Sequence, residues 1–127
     1  IIIAVTNKEL RDKLSKMNAE IMGSKADPFY GAPVVLVVLA DKNKPTHVYD
    51  GSLVMGNLML AAEDLGLGSC WIHRAKEEFE SEEGKEILKT LGIAGDYEGI
   101  GHCVLGYAAT ASAEPKERKA SYIYYAE

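Results

Sequence analysis

Leu53-Val54-Met55-Gly56-Asn57-Leu58-Met59-Leu60-Ala61-Ala62-Glu63-Asp64-Leu65, running on into Gly66-Leu67-Gly68-Ser69-Cys70-Trp71-Ile72, is the stretch that decides the fold. Up to Leu65 nearly every position is apolar or small, with Asn57, Glu63 and Asp64 the main exceptions. Such a helix is hydrophobic almost all round, so it has to be enclosed by the fold or by a second subunit. Asp50 or Ser52 can cap its start. Gly66 and Gly68 can end it, because glycine takes the left-handed cap conformation without a Cβ penalty. Ser69 to Ile72 then reads as a short strand, so the stretch is a buried helix feeding a sheet.

The flanks repeat that alternation. Upstream, Ile1 to Val5 is strand-like, and Thr6-Asn7-Lys8-Glu9 has the spacing of a capping box. Leu10, Leu14, Met17 and Ile21 then line one helix face, leaving Arg11, Lys13, Lys16 and Glu20 for water. Gly23 to Pro33, with two prolines and two glycines, reads as an irregular loop. Val34 to Ala40 is uniformly apolar and reads as a central strand. Downstream, Ser81 caps a helix through Leu88 and Leu91 that stops at Gly92, and Gly101 to Tyr107 is another buried strand. After Ala113 the chain turns polar and basic, then ends on the strand-like Ser121-Tyr122-Ile123-Tyr124-Tyr125. Helices laid on a small sheet of four or five strands make a mixed α/β or α+β sandwich.

With 47% hydrophobic and 26% charged side chains, residues 1–127 suit one globular domain with a real core. The net charge of -5 supplies no basic field for nucleic acid or an anionic membrane face. No apolar run approaches the roughly 20 residues that span a bilayer, and the first residues lack the flanks of a secretory signal, so a cytoplasmic location is expected. Because chain ends usually lie exposed and frayed, an opening directly on a buried strand implies an N-terminally incomplete domain with residues upstream of Ile1. Cys70 and Cys103 have no C-x-x-C partner and read as reduced core residues.

Several signals of chemistry fail on inspection. Gly66-Leu67-Gly68 begins like a dinucleotide fingerprint, but Trp71 stands where the third glycine belongs and the order is helix to strand. His47, His73 and His102 share no metal-ligand spacing, so no metal is expected, and no serine or cysteine sits in a recognisable nucleophile motif. Two places remain. Trp71-Ile72-His73-Arg74 follows a strand at its carboxyl end, where open sheets often present backbone donors to a ligand. Lys116 and Arg118 lie in Glu114-Pro115-Lys116-Glu117-Arg118-Lys119, which by composition alone is a solvated loop.

Taken in order, Phe29-Tyr30-Gly31-Ala32-Pro33 before the valine-rich strand, Asn57-Leu58 through Gly66-Leu67-Gly68-Ser69-Cys70-Trp71-Ile72, Gly101-His102-Cys103-Val104-Leu105-Gly106-Tyr107 and Pro115-Lys116-x-Arg118 resemble the nitroreductase family of FMN-dependent enzymes. The resemblance implies an α+β fold with a central, mainly antiparallel sheet flanked by helices. It also implies a homodimer, FMN as cofactor, and NAD(P)H as electron donor to a nitroaromatic, quinone or similar electron-poor acceptor by a ping-pong route. On that pattern Trp71, Ile72, His73 and Arg74 run beside the isoalloxazine ring, Lys116 and Arg118 hold the FMN phosphate, and no side chain acts as a catalytic nucleophile. The family's opening Arg-Ser-x-Arg helix would lie before Ile1. The alternative is a flavin-binding or interaction protein without turnover.

Overall fold

A computed structural model describes residues 1–111 and 114–126. The chain order is β1 (Ile2–Val5), α1 (Lys8–Met22), β2 (Val34–Asp41), α2 (His47–Asp64), β3 (Gly68–Ile72), α3 (Ala75–Glu80), α4 (Glu82–Thr90) and β4 (Tyr97–Gly106). The strands form one antiparallel sheet in the order β1-β2-β4-β3. The valine-rich run is therefore an inner strand, as its uniform apolarity requires.

Alternation along β2 sorts the core into two layers. Val35, Val37 and Leu39 join Ile3, Val5, Ile72 and Val104 beneath Leu14 and Met17 of α1, Phe79 of α3 and Ile87 and Leu88 of α4. On the opposite face Val38 and Cys103 meet Met55 of α2, with Leu36, Trp71 and Ile100 beside them. A bulge between Val38 and Leu39 pairs these with Gly101 and Gly99, so Ile100 is left over. Its side chain turns to the α2 face.

The expected elements form, with shifted edges. Asn7, rather than Thr6, caps α1: its Oδ1 accepts the Leu10 N–H at 2.8 Å. The helix α2 starts at His47, ahead of Asp50 and Ser52, whose side chains bond within its first turns, Thr46 Oγ1 donating to Asp50 at 2.8 Å and Ser52 Oγ to the Val48 carbonyl at 2.7 Å. Gly66, at φ 71°, ends α2 as expected, whereas Gly68 already belongs to β3. Arg11, assigned to water by its spacing, is buried. Ser121 to Tyr125 form no strand and stand exposed, since no ladder within the chain reaches them. Cys70 is exposed on the edge strand β3 and only Cys103 is buried, so just one of the two thiols is a core residue. Among the described residues no helix is long and apolar enough to cross a membrane.

Only the inner side of α2 is covered. Gly51, Met55 and Ala62 are buried against the sheet, while Tyr49, Leu53 and Leu60, at helical spacing on the other side, are each 70 to 72% exposed. The described fold encloses half of the helix.

Candidate functional site

The chain leaves β3 at Ile72 and enters α3 at Ala75, so His73 and Arg74 make a tight corner. Arg74 takes it with a left-handed φ of 76°, uncommon for a residue with a Cβ. The corner borders a cleft of about 410 Å³ whose lining includes Trp71, His73, Arg74, Lys76, Glu98 and Ile100. The Trp71 and His73 rings stack at the cleft edge, with centroids 5.8 Å apart and planes 27° from parallel. The indole lies over Gly101, where a Cβ would collide with Nε1, and that buried N–H has no hydrogen-bond partner. Ile72 points the other way, into the core.

Behind this corner is a buried polar network. Asn18 Nδ2 donates to the His73 carbonyl at 2.7 Å and to Glu78 Oε1 at 2.5 Å, while Arg74 Nε donates to Asn18 Oδ1 at 3.0 Å. Glu78 Oε2 lies 3.0 Å from His102 Nε2, and His102 Nδ1 lies 3.4 Å from the Ile72 carbonyl. Asn18, Glu78 and His102 are all fully or almost fully buried. A sequence signal for Asn18 existed: a polar residue four positions after Leu14 stands on the apolar stripe of α1. Nothing local marks Glu78 or joins the three.

A second polar cluster lies on α1. Arg11 donates through Nε to the Ala32 carbonyl at 2.9 Å and through Nη2 to Asp27 at 2.5 Å, which closes the 23–33 loop onto the helix. Burial pushes the Asp27 carboxyl up, but hydrogen bonds from Arg11, Ser15 and the Phe29 and Gly31 N–H groups outweigh it and hold the group well below the usual carboxylate range. Burial, and secondarily Cys70, pushes the Cys103 thiol up, which favours its protonated form.

The described contacts bring together Trp71, His73 and Arg74, with Ile72 as the anchor beneath them. Lys116 and Arg118 stand exposed, and no described hydrogen bond or ion pair joins either to the corner. Among the described residues no group of three or more His, Cys, Asp or Glu side chains could hold a metal ion.

The model of the nitroreductase family matches residues 1–107 of the 127. The chain belongs to the nitroreductase family. Its similarity to solved nitroreductases extends through the whole fold. A nitroreductase with bound FMN from Bacteroides fragilis is 27% identical, with a TM-score of 0.82 over 100% of this chain and 75% of that one. A second, also with bound FMN, from Desulfitobacterium hafniense, is 26% identical, with a TM-score of 0.83 over 99% of this chain and 74% of that one. Iodotyrosine deiodinase bound to FMN and 3-iodo-L-tyrosine shares the fold at 18% identity and a TM-score of 0.67, over 98% of this chain and 76% of that one. No curated protein sequence matches the chain.

Proposed function

We propose that this nitroreductase-family chain works as a homodimeric, FMN-dependent oxidoreductase that takes electrons from NAD(P)H and delivers them to a nitroaromatic, quinone or similar electron-poor acceptor. The observation that carries this reading is its superposition, along nearly its full length, on nitroreductases that hold FMN. Bound FMN would supply the hydride chemistry in a ping-pong cycle, the protein contributing position and electrostatics.

The residues at the cleft suit such a group. Trp71 and His73 offer flat faces beside a heteroaromatic ring. The Trp71 N–H is a buried donor lacking a partner, and Arg74 brings positive charge to the cleft. Lys116 and Arg118 are assigned to the phosphate, for which an arginine fork and an ammonium are chemically suited. None of these side chains needs to act as a nucleophile. The exposed stripe of Tyr49, Leu53 and Leu60 supports the homodimer, because an apolar helix face of that size is otherwise left in water.

The test is to mix the purified chain with FMN and add NAD(P)H without oxygen, then an acceptor. Bleaching of the yellow colour followed by its return supports the reading. A chain that binds FMN but never bleaches is the non-catalytic flavin binder, and a chain extended upstream of Ile1 that still stays colourless overturns the cofactor. Arg118→Ala is expected to weaken FMN binding about tenfold to hundredfold and riboflavin binding hardly at all, since one charge-assisted hydrogen bond contributes roughly 1.5 to 3 kcal/mol. Equal losses for both ligands would remove the phosphate role.

A further inference from the structure

Asn18, Glu78 and His102 come from three elements, α1, α3 and β4, and meet where the core could have been apolar. Buried polar groups of this kind seldom stabilise a fold better than well-packed hydrophobic ones, so their connections are informative. The outward bonds of the network all go to three consecutive residues. His102 meets the Ile72 carbonyl, Asn18 donates to the His73 carbonyl, and Arg74 Nε donates to Asn18. Glu78 spans the two ends, accepting from Asn18 and facing His102 Nε2. The segment held in this way contains the left-handed Arg74 and carries two of the side chains that line the cleft, His73 and Arg74.

We propose that Asn18, Glu78 and His102 are positioning residues: a buried relay that fixes the orientation of the Ile72–Arg74 peptides and thereby the face that the corner turns to its ligand. The consequence for flavin rests on the function proposed above; the fixing of the corner does not. Donor and acceptor chemistry orders the relay. The Ile72 carbonyl can only accept, so Nδ1 of His102 carries a hydrogen, and one further proton is shared between Nε2 and Glu78 Oε2. The pair is neutral as a whole, whichever atom holds that proton. Glu78→Gln preserves this connectivity, because its carboxamide oxygen can accept from Asn18 while its N–H donates to Nε2 of a neutral His102. Asn18→Leu removes both donors and the acceptor. Asn18→Asp keeps the shape and the acceptor for Arg74, loses the donors to the His73 carbonyl and sets two carboxyl groups against each other.

Amide hydrogen exchange on the full chain without flavin tests the positioning directly. In Asn18→Asp, and in Asn18→Leu if it folds, exchange at residues 73–76 is expected to quicken at least about tenfold, the effect of losing one buried hydrogen bond on local opening. Amides of residues 35–39 in the inner strand should keep their protection. Glu78→Gln should keep the wild-type rate at 73–76. Unchanged exchange at 73–76 in Asn18→Asp, equal acceleration throughout the chain, or a Glu78→Gln variant as loose as Asn18→Asp would each overturn the proposal. A parallel FMN titration separates the two ideas. In wild type it tests cofactor binding; in Asn18→Asp a lowered kcat with little change in KM for NAD(P)H, and a shifted flavin absorption band, are expected of a misaimed corner. If a wild-type chain extended upstream of Ile1 takes up no flavin, the proposed function falls while the exchange result still decides the relay.

Discussion

The two faces of the sheet are finished in different ways. On one, α1, α3 and α4 close a core containing Leu14, Phe29, Phe79 and Ile87, and the helices approach until backbone meets backbone. Gly99 of β4 lies against the Ala75 carbonyl, and Gly84 of α4 against the Glu78 carbonyl and the Phe79 Cα. On the other face α2 rests alone, and its close approach, at Gly51, is made to the Ile100 side chain. The first face is rigid because neither partner has a side chain to move aside. The second is yielding within the chain and apolar on its outside, as expected of a surface completed by something else. The candidate corner, Trp71 to Arg74, stands where the two meet: Ile72 packs into the first core, Trp71 into the second.

The sharpest way to break this contrast is to add one methyl group to each face. Gly99→Ala drives a Cβ into the Ala75 carbonyl, with nothing flexible to give way. A loss of more than about 3 kcal/mol, the upper end of overpacking effects, is expected in chemical denaturation. Gly51→Ala, whose Cβ would come within 2.5 Å of Ile100 Cγ1, should cost well under half as much, because Ile100 can change rotamer. Equal losses at the two glycines would refute the distinction.

The next effect concerns the outside of α2. Leu60→Lys should leave the chain folded but weaken self-association by on the order of 2 to 3 kcal/mol, since the change is made twice in a symmetric pair and each leucine contributes roughly 1.5 kcal/mol or more on burial. Sedimentation at several concentrations reads this out. A wild-type chain that stays monomeric at micromolar concentration would remove the homodimer from the proposed function.

Smaller still is the difference between the two thiols. Cys103 is buried under α2 and Cys70 is exposed on the edge strand. Cys103→Ser should destabilise by about 1 to 2 kcal/mol, from burying a hydroxyl. Cys70→Ser should stay within about 0.5 kcal/mol of wild type. Melting curves for the two variants that coincide would mean the Cys103 hydroxyl finds a partner.

What was legible in the sequence follows the same division. Long, uniform signals were readable: the valine run of β2, the apolar α2 and the Ser81 cap of α4, whose Oγ accepts the Gly84 N–H at 3.0 Å. The six residues of α3, Ala75–Glu80, gave no warning, because Ala75 and Phe79 alone are apolar and the helix exists through its packing on β4. Cys70 was misplaced because exposure depends on which strand forms the edge, a property of the whole topology. The candidate corner Trp71–Arg74 is suggested by its place after a strand and by resemblance to a family, yet the relay behind it is not, since its bonded members stand 60 and 24 residues apart. Periodicity places a residue on a face of its own helix or strand; it does not say what folds back onto that face.

Arg11 is the plainest case of that limit, and it carries the smallest prediction. Its position on α1 reads as solvated, but the 23–33 loop returns over it and supplies Asp27 and the Ala32 carbonyl. Asp27→Asn removes the charge, and its one side-chain oxygen can still accept from either the Phe29 N–H, which bonds Oδ1, or the Gly31 N–H, which bonds Oδ2. Arg11 also keeps Ala32 and Asp12 as partners. The loss at neutral pH should therefore be modest, about 1 kcal/mol for a partly exposed charge-assisted bond. Its pH dependence is the more telling quantity. The folded state holds the Asp27 carboxyl below its ordinary value of 3.8, so the unfolded chain takes up the proton first. The stabilisation is complete well above that value and fades as the pH falls through and below it. Denaturation of wild type and Asp27→Asn at a series of pH values should give curves that differ at pH 7 and converge in acid. A gap that stays constant down to pH 3 would mean that Asp27 acts through its shape alone, and that the loop is held to α1 by packing and not by charge.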